Sequence, residues 1–147
     1  MSLIRKAISA LAWAASVVAL AVVPALAQPL AKPAERPLLE VTGKIKVTND
    51  GEKATFDLAL LESVGKAKTK TSTAWTEGTP EFEGVNLKTL LERLGASGDT
   101  VTAVALNDYK VEIPMADFQR YPVILAYRMN GELLKVREKG PLWIIYP

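Results

Sequence analysis

Apolar residues along this chain switch between two spacings, and the switches mark out its elements. Leu39, Val41, Ile45 and Val47 alternate with Glu40, Thr42, Lys44 and Lys46, the period of a half-buried strand over residues 39–47. Asn49-Asp50-Gly51 is a hairpin signal leading into a short strand at residues 53–56. Asp57 is placed to N-cap a short helix through Ser63, with Leu58, Leu61 and Val64 inward and Gly65 ending it. Lys66, Lys68 and Lys70 alternate with Ala67, Thr69 and Thr71, which reads as an edge strand blunted by solvated lysines or as an anion-binding stripe. After Asn86 the spacing becomes helical: Leu87, Leu90, Leu91 and Leu94 form one core-facing stripe, and Gly95 stops it.

The second half is strand-rich. Residues 100–106 predict a buried strand, Asn107-Asp108 a turn, and Tyr109, Val111 and Ile113, alternating with Lys110 and Glu112, the next strand, ended by Pro114. A single helical turn holds Asp117 and Phe118, and Pro122 precedes an apolar strand over 123–129. Asn130-Gly131 is the clearest two-residue hairpin signal, with a return strand over 133–136. Lys139-Gly140-Pro141 breaks the chain before a last strand at 142–146. About seven strands and two proper helices predict one sheet-dominated α+β domain. Between the lysine strand and the leucine helix, residues 69–84 form a polar, threonine-rich loop around Trp75, with a Glu77-Gly78 turn signal. Such loops on a rigid scaffold are where binding residues concentrate.

The first 27 residues have a different character. Arg5 and Lys6 precede an almost wholly apolar run over 7–26, and Ala25-Leu26-Ala27 is an A-x-A cleavage signature, so residues 1–27 are expected to be a signal peptide. An uncleaved membrane anchor is the alternative. Residues 28–37, with prolines at 29, 33 and 37, predict an extended exposed linker, and residues 38–147 the domain. Cleavage would place the domain in the periplasm or outside the cell. It would also remove two of the 18 basic residues, leaving 16 against 16 acidic ones, so nucleic-acid binding has no electrostatic support. The chain has no cysteine and no histidine, which excludes disulfides, Cys/His zinc clusters, thiol nucleophiles and Ser-His-Asp triads.

Four segments in fixed order resemble one family. They are Phe82-Glu83-Gly84-Val85-Asn86-Leu87-Lys88-Thr89-Leu90-Leu91, Asn107-Asp108-Tyr109 with Ile113-Pro114, Leu125-Ala126-Tyr127-Arg128-Met129-Asn130-Gly131-Glu132, and Lys139-Gly140-Pro141-Leu142-Trp143-Ile144-Ile145-Tyr146-Pro147. This order resembles the molybdopterin-binding domain of sulfite-oxidase-type oxidoreductases over most of the chain after the linker. The resemblance implies that fold and makes molybdopterin the cofactor to consider. In the family a cysteine thiolate ligates molybdenum; the corresponding stretch here is Thr71-Ser72-Thr73-Ala74-Trp75. A hydroxyl does not replace a soft thiolate unless it is activated. Trp143 also stands where the family often has arginine.

The candidate ligand-binding residues are Ser72, Thr73, Trp75, Asn107, Asp108, Tyr109, Arg128 and Lys139. Trp75 reads as a stacking platform or as a lid on the core, and Tyr109 as a pocket border or as turn packing. Arg128 is either paired and buried or offered to an anion; Lys139, with the backbone of Gly140, either holds an anionic group or is a solvated turn. Glu77, Glu81 and Glu83 read as solvated charge rather than a hard-metal site. No catalytic residue and no metal ligand is expected. Two functions lead, ahead of a purely structural interaction domain whose Trp75 loop is merely packed. One is an exported, non-catalytic module that binds a small anionic or pterin-like ligand or a protein partner such as a membrane sensor. The other is a working molybdopterin-dependent oxidoreductase whose metal is held without cysteine, through Ser72.

Overall fold

A computed structural model of the protein describes residues 29–147. The expected signal peptide lies outside the described residues. Among those, nine short strands and three helices make a mixed, mostly stranded α+β domain. The alternation that predicts a strand over 39–47 survives only as β1 (Leu39–Val41), because Gly43 takes φ 101 and turns the chain out of line. Ile45 and Val47 still pack on the core, held by Lys46 and Val47 backbone N–H groups donating to the Leu94 carbonyl. β2 (Ala54–Phe56) pairs antiparallel with β1. Asp57 then caps α1 (Leu58–Val64) as its position predicts, its Oδ1 accepting from the Leu60 N–H at 2.9 Å.

The main sheet has β3 (Ala67–Lys70) at one edge, then β4 (Glu81–Asn86), then β7 (Ile124–Met129). Both β8 (Glu132–Leu133) and β9 (Trp143–Ile145) pair with β7, β8 opposite Arg128 and Met129, and β9 opposite residues 124–126. The return strand expected over 133–136 is cut short at Leu133, and Val136–Glu138 form a 3-10 turn instead. Lys139 follows with φ 70, and the Gly140 N–H donates back to the Lys135 carbonyl. A side chain at Gly140 would strike the Leu134 carbonyl, so glycine is what lets this connection fold flat against the sheet.

One face of the sheet carries the larger core: Phe56, Leu61, Val85, Leu125 and the leucine stripe of α2 (Leu87–Arg93), capped by Asn86. The opposite face carries a smaller cluster of Phe82, Ile124, Ala126, Leu134 and Ile145, with Met129 and Trp143 against it. Between the two cores β7 changes phase. Glu83 lies opposite Arg128 but Gly84 lies opposite Ala126, so Tyr127 is an extra residue on β7 and Arg128 turns toward α1. The strand expected to be buried over 100–106 is instead β5 (Thr100–Val104), half exposed and paired only with β6 (Lys110–Pro114) as a separate hairpin. Its base is covered by α3 (Met115–Arg120), where Ile113 and Phe118 are buried.

Candidate functional site

The polar loop is shorter than its composition suggests. Thr69 and Lys70 belong to β3 and residues 81–84 to β4, which leaves 71–80 as loop. Within it the threonines hold the backbone. The Trp75 N–H donates to Thr73 Oγ1 at 3.1 Å, the Thr73 N–H donates to Thr76 Oγ1 at 3.3 Å, and the two hydroxyls lie 2.9 Å apart. Gly78 has φ 63, as the Glu77-Gly78 turn requires. The Thr73 hydroxyl is therefore spent on shaping the turn, whereas Ser72 is exposed on it.

This turn presents Trp75 outward at 68% exposure, so it is no lid on the core. Its ring meets that of Trp143 edge-on, centroids 6.1 Å apart at 63°, and Trp143 meets buried Phe82 at 5.6 Å and 87°. Edge-to-face contacts of this kind are the favoured aromatic geometry. Lys139, turned by its left-handed backbone, brings Nζ to 4.7 Å from the Trp75 ring centroid. Two loops distant in sequence thus meet in one surface: a ladder of three rings with an ammonium at its outer end. Trp143 and Phe82 are the members that sequence reasoning does not assign to the site. Their signal is strand register, since Trp143 pairs with Ala126 and Phe82 with Met129, which sets both rings among the small cluster on this face.

The other candidates fall elsewhere. Arg128 Nη1 donates to Glu62 Oε1 at 2.6 Å and to Glu83 Oε1 at 3.3 Å, and its guanidinium lies 5.4 Å from the Tyr127 ring centroid. The hydrogen bond from Arg128 holds the Glu62 carboxyl below its ordinary range, and the same bond pushes Arg128 up. Arg128 is thus paired and half-buried, its charge met by two carboxylates. Lys68 pairs with Glu81 at 2.8 Å and Glu83 at 3.6 Å, which makes the lysine strand a neutralised sheet edge rather than an anion stripe. Asn107, Asp108 and Tyr109 form the apex of the β5–β6 hairpin. There the Ala105 N–H donates to the Tyr109 carbonyl at 2.8 Å and the Tyr109 N–H to Asn107 Oδ1 at 3.3 Å. Tyr109 is 67% exposed beside exposed Val104, Leu106 and Val111. Among the described residues, no hydrogen bond, ion pair or ring contact joins this apex to Trp75 or Lys139.

The donor set decides what this face can hold. The chain supplies no thiolate, and among the described residues no group of three or more histidine, cysteine, aspartate or glutamate side chains is arranged to hold a metal ion. Ser72 offers one exposed hydroxyl, and the only arginine on β7 is committed to glutamates. These residues do not fit a ligated molybdenum ion. The paired tryptophans with Lys139 do fit a flat organic group that carries negative charge, by stacking and by ion pairing.

No curated protein matches the chain. The family model described as the oxidoreductase molybdopterin-binding domain matches residues 45–147. The match takes in β2 through β9 and every residue of the aromatic face just described. The chain therefore belongs to the oxidoreductase molybdopterin-binding domain family.

Proposed function

We propose that this domain is an exported, non-catalytic member of its family that binds a flat, anionic, pterin-like molecule on the Trp75–Trp143–Lys139 face. The observation that carries the reading is the Lys139 ammonium 4.7 Å from an exposed indole that itself rests on a second indole. An apolar lid would be buried, whereas this indole is exposed and holds an exposed ammonium over its face by cation–π attraction. The missing thiolate supports binding without molybdenum chemistry. Native mass spectrometry and calorimetry with a phosphorylated pterin test it. Binding that is lost in both Trp75→Ala and Lys139→Ala supports the proposal. Stoichiometric molybdenum in protein made by a molybdopterin-competent host would overturn it in favour of the oxidoreductase reading through Ser72.

One observation favours a protein partner as a second reading. The β5–β6 apex exposes Val104, Leu106, Tyr109 and Val111 together, an apolar surface that a small ligand would not cover. Capture of a partner that is lost on Tyr109→Ser, with pterin binding unchanged, would support it.

A further inference from the structure

Residues 30–37 have the composition of a tether, yet the structure attaches them to the domain at three places. Leu30 packs on the larger core. The Asn49 side-chain amide donates to the Ala31 carbonyl at 2.7 Å. Its oxygen and its nitrogen also pair with the N–H and carbonyl of Thr55, at 2.7 and 2.8 Å, as a neighbouring strand would. Asp57, only 2% exposed, accepts from the Ala34 and Glu35 backbone N–H groups through Oδ2, at 2.8 and 3.0 Å. Its other oxygen caps α1 through Leu60.

A buried carboxylate needs its charge compensated. Among the described residues no cation pairs with Asp57; the compensation comes from backbone N–H groups, two of them on the segment. The hydrogen bonds from Leu60 and then Glu35 hold its carboxyl below the ordinary aspartate range, against the opposing effect of burial. If the segment lifted away, Oδ2 would lose both of its donors, and the carboxylate that also caps α1 through Leu60 would lose two of the three backbone N–H groups that hold it in place.

We propose that residues 30–37 are a strap latched by Asp57, and that the strap and the first turn of α1 release together as one unit. The helix so loosened carries Glu62, the nearer carboxylate on Arg128, so the state of the strap reaches the central strand β7.

Hydrogen exchange followed residue by residue on the purified protein tests this. The amides of Ala34, Glu35 and Leu60 are expected to be protected and to share one dependence on denaturant. Asp57→Asn retains one oxygen for Leu60 but turns an amide NH2 toward the strap; Ala34 and Glu35 should then exchange at least ~10-fold faster, with Leu60 following. Should that variant not fold, Ala34→Pro deletes one strap donor without touching α1, and should speed exchange at both Glu35 and Leu60. Strap amides exchanging at unprotected rates in the parent protein, or Leu60 unchanged in Ala34→Pro, would overturn the proposal.

Discussion

At the scale of single residues, the least comfortable group is Tyr127. Its ring is fully buried as the extra residue of β7, and its hydroxyl lies buried without a hydrogen-bond partner among the described residues. Burial pushes its phenol up, and Glu62 and Glu83 add to the effect. A buried polar atom left unpaired costs stability. Tyr127→Phe keeps the ring and removes the cost, so chemical denaturation should show a gain of about 1 kcal/mol. Tyr146 is the opposite case, donating to Asp117 Oδ2 at 2.9 Å. Partial burial and then this bond push its phenol up to about 12. Because the folded state favours the neutral form, this contribution is intact below pH ~10 and is lost as pH rises toward the folded value. In a Tyr127→Phe background, which removes the other raised phenol, near-ultraviolet titration should show one late phenolate step, and Tyr146→Phe should abolish it.

At the scale of elements, helices were legible and strand limits were not. Asp57 and Asn86 announce α1 and α2, because a capping side chain acts on an N–H three residues away and depends on nothing distant. Strand limits depend on partners. Residues 39–47 alternate well but have a neighbour only as far as Val41, and residues 100–104 pair with a single strand and so stay half exposed. The site divides in the same way. The turn around Trp75 could be read from its threonines and Gly78, but its meeting with Lys139 and Trp143 depends on the bend between β8 and β9. Since Trp75 projects from a loop that shapes itself through threonine hydroxyls, Trp75→Ala should leave thermal stability nearly unchanged, within about 1 kcal/mol. A loss of about 3 kcal/mol or more would instead mark a core side chain.

At the scale of the whole molecule, two carboxylates join parts that are far apart in sequence. Asp57 ties residues 34 and 35 to α1, and Glu62 ties α1 to β7. Both carboxyls are held below their ordinary values, Asp57 by backbone N–H groups and Glu62 by Arg128. A depressed carboxylate contributes fully above its unfolded value and loses that contribution as pH falls through the folded one. Circular dichroism should therefore show stability holding down to pH ~4.5 and falling below it, with a shallower decline in Asp57→Asn/Glu62→Gln. Family membership was legible from four spaced motifs, which fall on β4 with α2, the β5–β6 hairpin, β7 with β8, and the run into β9, all within the matched residues. The docking of residues 30–37 was not, because proline spacing predicts an extended backbone and says nothing of what lies beside it.

The chain has three tryptophans, at positions 13, 75 and 143, and the first falls within the expected signal peptide. In a chain made without residues 1–27, all indole fluorescence would arise from the two rings that touch each other. Such a chain would carry its own optical reporter, confined to the face proposed to take the ligand. Quenching or a spectral shift on titration would register occupancy without any label, and a bound molecule that left the emission unmoved would have to be seated somewhere else.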